Sequence, residues 1–117
     1  MAKYERQLTG SFDALLDHLH QDITRGSVSA SYEDGSDFVM GPIRVAVRVY
    51  ERYSWFGGNR VSLNLTVVGE GSRLYVSAIT SGGSQAVFFK INTLGEGAFL
   101  DRCIESVEDY MKQAGSY

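Results

Sequence analysis

The sequence predicts an α+β domain: an antiparallel β-meander of about five to six strands with an N-terminal and a C-terminal helix packed on one face, in the order β-α-β5-α. Three observations carry that prediction. Apolar residues recur at three-and-four spacing twice, once near each end of the chain. Between those stretches the apolar period is two, and short glycine-rich reversals separate the alternating runs. The chain has 117 residues, the size of one domain (residues 1–117) able to bury about two-thirds of the surface its unfolded form exposes.

Residues 3–8 alternate weakly and suit an edge strand, broken by Thr9 and Gly10. Ser11 is placed to cap a helix whose face repeats as Phe12, Leu15, Leu16, Leu19 and Ile23 and which stops at Gly26. Val28, Ala30 and Tyr32 then alternate with polar neighbours as a half-buried strand. Residues 34–37 read as a turn, residues 38–40 resume extended structure, and Gly41-Pro42 marks a bend. In the next strand Ile43, Val45, Val47 and Val49 are expected to face the core, leaving Arg44, Ala46, Arg48 and Tyr50 outward.

Gly57 and Gly58 permit a hairpin reversal after Trp55 and Phe56. Val61, Leu63, Leu65 and Val67 continue the apolar face, residues 69–72 turn the chain into Leu74, Val76 and Ala78, and residues 81–84 turn it into a last strand with Val87, Phe89 and Ile91. Thr93 and Glu96 have capping-box spacing ahead of a second helix with Phe99, Leu100, Cys103, Ile104, Val107, Tyr110 and Met111 on one side. The expected outer sheet face is polar and studded with aromatics, including Arg44, Arg48, Tyr50, Ser62, Asn64, Thr66, Tyr75, Ser77, Phe88 and Lys90.

The net charge is −3, which speaks against a nucleic-acid binder, since backbone affinity needs clustered cations. Charge is segregated, however. Residues 38–95 hold six basic side chains and two acids, or +4, so the rest of the chain carries −7. Cys103 is the only cysteine; it excludes an intrachain disulfide and multi-thiolate metal sites and suits a reducing, cytoplasmic setting. No signal-peptide core precedes the domain and no apolar run approaches a membrane span.

Residues 46–54 (AVRVYERYS), 57–64 (GGNRVSLN) and 77–101 (SAITSGGSQAVFFKINTLGEGAFLD) resemble a family of small uncharacterised bacterial proteins, a domain of unknown function. The likeness spans nearly the whole chain. It implies a bacterial cytosolic protein and carries no established catalytic or binding residues with it.

The chemical motifs weigh toward structural roles. His18 and His20 are two apart on a helix and cannot share an ion, whereas Asp13, Asp17 and His20 share a flank that suits either a divalent ion or the helix dipole. Gly82-Gly83-Ser84 lacks the context of a nucleophile elbow, Cys103 sits on an apolar stripe, and Gly95-Glu96-Gly97 lacks the third glycine and the parallel βαβ unit of a phosphate loop. No catalytic residue, metal or cofactor is implied. The expectation is therefore a non-enzymatic cytosolic binding or protein-interaction domain, self-associating or taking a small anionic ligand or a protein partner, through Arg44, Arg48, Tyr50, Trp55, Phe56 and Tyr75. The alternative is a small-molecule carrier or an enzyme with a pocket between sheet and C-terminal helix, lined by Val47, Leu65, Phe89 and Val107.

Overall fold

A computed structural model of the chain describes residues 1–25, 30–53, 60–82 and 98–115. Along these run β1 (Ala2–Thr9), α1 (Phe12–Thr24), β2 (Ser31–Met40), β3 (Ile43–Tyr53), β4 (Arg60–Glu70), β5 (Arg73–Gly82) and α2 (Ala98–Ala114). The observed order is β-α-β4-α. The strand expected at Val87, Phe89 and Ile91, the capping box at Thr93 and Glu96, and the Trp55-Phe56 tip lie outside the described residues.

The five strands form one antiparallel sheet in the order β1-β5-β4-β3-β2. The sequence-distant β1 closes it by pairing with β5, from Ala2 opposite Thr80 to Thr9 opposite Arg73. Two hairpins are tight: Met40 pairs with Ile43 and Glu70 with Arg73, so Gly41-Pro42 and Gly71-Ser72 make the whole of each turn. Gly41 has φ +58° and Gly71 +60°, the glycine-first arrangement of a type II′ hairpin, whose twist matches that of the strands. Residues 34–37, expected as a turn, instead continue β2, which runs unbroken to Met40 with one register shift between Tyr32 and Asp34. Pairing with β3 overrides the local turn chemistry of Asp34-Gly35-Ser36-Asp37, and the bulge absorbs the extra residue.

Both helices lie on one face of this sheet. Ser11 caps α1, its hydroxyl accepting the Ala14 amide at 3.2 Å. Phe12, Leu15, Leu19 and Ile23 are buried beneath the helix. On α2, Phe99, Leu100, Cys103, Val107, Tyr110 and Met111 are buried. These stripes meet Val61, Leu63, Leu65 and Val67 of β4 and Leu74, Val76 and Ala78 of β5 in one apolar cluster. Each fully buried aliphatic side chain there contributes about 1.5–3 kcal/mol. The long-range ties between the helices are polar: Ser11 N–H donates to the Tyr110 hydroxyl at 2.9 Å, and Arg102 donates to the carbonyls of Asp22 and Arg25 at the end of α1.

One expectation is overturned in β3. Ala46 pairs with Val67, Arg48 with Leu65 and Tyr50 with Leu63, so the even-numbered residues share the helix-covered face and Val45, Val47 and Val49 point outward. Ala46 and Tyr50 are fully buried. Valine favours a strand on either face, and here the inner positions of β3 go to side chains that reach the polar flank of α1.

Candidate functional site

The helices cover β1, β5 and β4 and leave β2 and the outer half of β3 overhanging α1. Under the overhang is a cleft of about 340 Å³ lined by Asp13, Leu16, Asp17 and His20 of α1, Tyr32 of β2 and Arg48 of β3. The helix supplies its lining at i, i+3, i+4 and i+7, the spacing of one flank. The strands supply theirs from one side of the pleat, since Tyr32 is opposite Tyr50 and Gly35 opposite Arg48.

Beneath the cleft, the hydroxyl of the buried Tyr50 lies 2.8 Å from His20 Nδ1. Burial pushes the Tyr50 phenol well above its ordinary value, so it keeps its proton. A protonated phenol can donate to an imidazole nitrogen or accept from an imidazole N–H. A Tyr50 hydroxyl that donates to Nδ1 leaves the ring proton on Nε2, which has no partner among the described residues. The rings of His20, Tyr32 and Tyr50 form a mutual cluster with centroids 5.5–5.8 Å apart, His20 edge-on to Tyr32.

Arg48 is 16% exposed at its side chain, donating to the Val47 carbonyl at 2.9 Å and to Asp37 Oδ1 at 3.0 Å. Gly35 makes room for this arrangement. A Cβ there would sit 2.5 Å from the Tyr32 hydroxyl, 2.8 Å from the Val47 carbonyl oxygen and 3.1 Å from Arg48 Cδ. At the mouth, Arg44 grips both carboxylate oxygens of Asp13 at 2.8 and 3.0 Å and lies over the Phe12 ring at 4.3 Å. Those hydrogen bonds hold the Asp13 carboxyl below its ordinary range. Asp17 accepts from Gln21. Among the described residues no group of three histidine, cysteine or acidic side chains is placed to hold a metal ion.

The remaining polar clusters do not make a nucleophile. Ser106 donates to Asp22 Oδ2 at 2.6 Å, and His18 Nε2 lies 3.3 Å from the same oxygen without the alignment of a hydrogen bond. The serine is thus bonded to the acid rather than to the base that would activate it. Cys103 is buried, and burial alone pushes its thiol up to about 12. Arg52 lies over the Phe99 ring, and desolvation followed by the nearby Arg102 charge lowers its pKa.

The other face of the sheet has a different character. Phe38, Met40, Ile43, Val45, Val47, Val49, Val68, Tyr75 and Ile79 all project from it, as the strand registers require. Tyr75 hydrogen-bonds Glu5, which raises its phenol.

A family model described as a family of unknown function (DUF6054) matches residues 1–111. The chain belongs to that family. No curated protein matches it. Among solved structures it is similar to the crystal structure of TTHA0849 from Thermus thermophilus, at 10% identity, with 93% of this chain and 97% of that chain covered and a TM-score of 0.28, too loose a superposition to support an argument.

In this DUF6054 member the six residues expected to form one site divide three ways. Arg48 lines the cleft, Arg44 closes its mouth and Tyr50 supports it from the core, so these three do come together, on the inner face. Tyr75 stands on the opposite face, and Trp55 and Phe56 lie outside the described residues. The pocket expected under the C-terminal helix does not assemble from the described residues named for it: Leu65 and Val107 are fully buried core, and Val47 is on the far face. Asp13, Leu16, Asp17, His20 and Tyr32 are the cleft residues missing from the expected set. The signal for the helical ones was the shared flank of Asp13, Asp17 and His20, whose charge complements Arg44 and Arg48; Tyr32 had none.

Proposed function

We propose that this is a non-enzymatic binding domain of the bacterial cytoplasm that takes a small polar molecule in the cleft between α1 and the β2–β3 overhang. The observation that carries the reading is His20: its Nδ1 is engaged from below by the Tyr50 hydroxyl at 2.8 Å, leaving Nε2, with no partner among the described residues, to meet a ligand in a cleft of about 340 Å³. Oriented donors over an aromatic floor are what small-molecule sites use to fix a ligand. Arg48 adds guanidinium donors beside it, and Asp13 and Asp17 on the helical wall oppose a simple anion. The matching ligand has an acceptor for His20 and Arg48 and a donor for Asp17, as in a small zwitterion or a polyol.

Native mass spectrometry of protein purified from its host, joined to ¹⁵N imidazole spectra recorded against a panel of free amino acids and sugars, tests this. A retained small molecule, or a panel member that moves the His20 Nε2 resonance and loses its effect in Arg48→Gln, is the expected result. A ligand-free protein whose His20 spectrum no panel member moves would overturn the reading.

A further inference from the structure

We propose that the outer sheet face is the interface of a symmetric dimer, its two-fold axis running parallel to the strands over β4. This inference does not rest on the cleft, which is on the opposite face. The starting point is exposure: Met40 is 67%, Phe38 46%, Ile79 38% and Ile43 37% exposed, all on this one face, where soluble monomers rarely keep a contiguous apolar patch. Val45, Val47, Val49 and Val68 fill the space between them.

The cross-strand registers lay this face out in rows. From β2 to β1, the row at the tight turns reads Met40, Ile43, Glu70, Arg73, Thr9; the next reads Phe38, Val45, Val68, Tyr75, Gln7; the third reads Ser36, Val47, Thr66, Ser77, Glu5; the fourth reads Asp34, Val49, Asn64, Ile79, Lys3. A two-fold axis along β4 lays each row on its own reverse. Val49 then meets Ile79 of the second copy, Val45 meets Tyr75, Val68 meets itself, and Asp34 at one corner meets Lys3 at the other. An axis perpendicular to the strands would instead set Asp34 against Met40 and Lys3 against Thr9, leaving both corner charges unpaired across the interface. Only the first arrangement brings the corner charges Asp34 and Lys3 together.

Shape and size agree with a second copy. A shallow trough of about 420 Å³ lies on the β4–β5–β1 side of this face, with Val68, Tyr75, Arg73 and Gln7 among its walls. The same axis brings the second copy's Ile43 and Val45 over it. Five strands spaced by about 4.8 Å and four rows spaced by about 6.8 Å cover roughly 650 Å², so two copies bury about 1,300 Å², within the range of specific stable interfaces. The face is also nearly neutral. Lys3 pairs with Glu5, Arg60 with Glu51 and Arg73 with Glu70, so two copies meet without the repulsion their net charges of −3 would otherwise bring.

The test is sedimentation velocity of the full chain from 1 to about 100 μM, with two variants and a cross-link. The native chain sediments as two copies, and Val47→Glu weakens the association at least about 100-fold, by setting a desolvated carboxylate against the second copy. Its far-UV circular dichroism stays native because Val47 faces away from the core; Ile79→Lys serves where Val47→Glu does not fold. Thr66→Cys, at the axis, is captured as a covalent dimer by a short bismaleimide, while Lys112→Cys on α2 is not; the native Cys103 is buried and does not compete. A monomer at 100 μM overturns the proposal. So does a dimer that withstands both Val47→Glu and Ile79→Lys. A dimer broken by them but cross-linked through Ser36→Cys overturns the axis.

Discussion

Replacing Tyr50 by phenylalanine isolates the hydrogen bond on which the cleft depends. The Tyr50 ring is fully buried and packs against His20 and Tyr32, and phenylalanine keeps those ring contacts while deleting the hydroxyl that lies 2.8 Å from His20 Nδ1. One internal hydrogen bond is worth about 0.5–1.5 kcal/mol net. His20 lies in an open cleft, so its freed nitrogen can recover a water, which places the expected loss near 1 kcal/mol and the fall in Tm near 4 °C. Urea unfolding at pH 8 should show a lower midpoint with an unchanged m-value. The ¹⁵N imidazole spectrum should move from a fixed Nε2–H tautomer toward a mixture. Because burial raises the folded-state phenol above 10.0, the stabilisation it gives is whole below pH 10 and drains as the pH rises beyond it. The gap between the native protein and Tyr50→Phe should therefore shrink above pH 10. Equal stability at pH 8 together with an unmoved His20 tautomer would refute the reasoning.

Other positions make independent predictions. Gly35→Ala puts a Cβ 2.8 Å from a strand carbonyl and 2.5 Å from the Tyr32 hydroxyl; a destabilisation of about 1–3 kcal/mol and a displaced Tyr32 ring are expected, and unfolding curves matching the native protein would contradict the packing. Ser106→Ala removes a buried donor to the Asp22 carboxylate, with an expected loss of about 1.5 kcal/mol, measurable by the same urea titration. Cys103, its thiol pushed up to about 12, should resist iodoacetamide at pH 8 in the native protein and react once the chain is unfolded in urea. The Asp13 carboxyl should titrate below the ordinary 3.8 by ¹³C spectroscopy and return toward it in Arg44→Gln, because the Arg44 hydrogen bonds hold it down. The stabilisation from that pair is present above the ordinary aspartate range and is lost as the pH falls through the depressed value.

The helices were legible because burial and periodicity coincide there. The stripe Phe12, Leu15, Leu19 and Ile23 is the buried stripe of α1, and the Ser11 cap is formed as its residue type suggests. β4 and β5 were legible for the same reason, since one side of each is aliphatic and goes under the helices. In β2 a local motif misled: Asp34-Gly35-Ser36-Asp37 has turn chemistry, yet Gly35 is there to let Tyr32 and Arg48 pass over the strand.

In β3 the error has a physical origin that also explains the site. Alternation identifies two faces, and the more apolar of them is ordinarily assigned to the core; that inference holds only if the opposite face meets water. Here both faces have work to do. The valine face forms the exposed apolar patch, and the mixed face turns Arg44, Arg48 and Tyr50 toward the polar flank of α1. The segregation of charge, +4 in residues 38–95 against −7 elsewhere, already contained that answer, because a basic strand and an acidic helix flank neutralise each other only when they share a side of the sheet. Arg44 with Asp13 is that neutralisation, and the His20–Tyr50 hydrogen bond is its counterpart one helical turn beyond Leu16. A strand that gives its polar face to a helix must leave its apolar face to something else, so the cleft on one side of β3 and the half-buried valines on the other are two consequences of a single orientation.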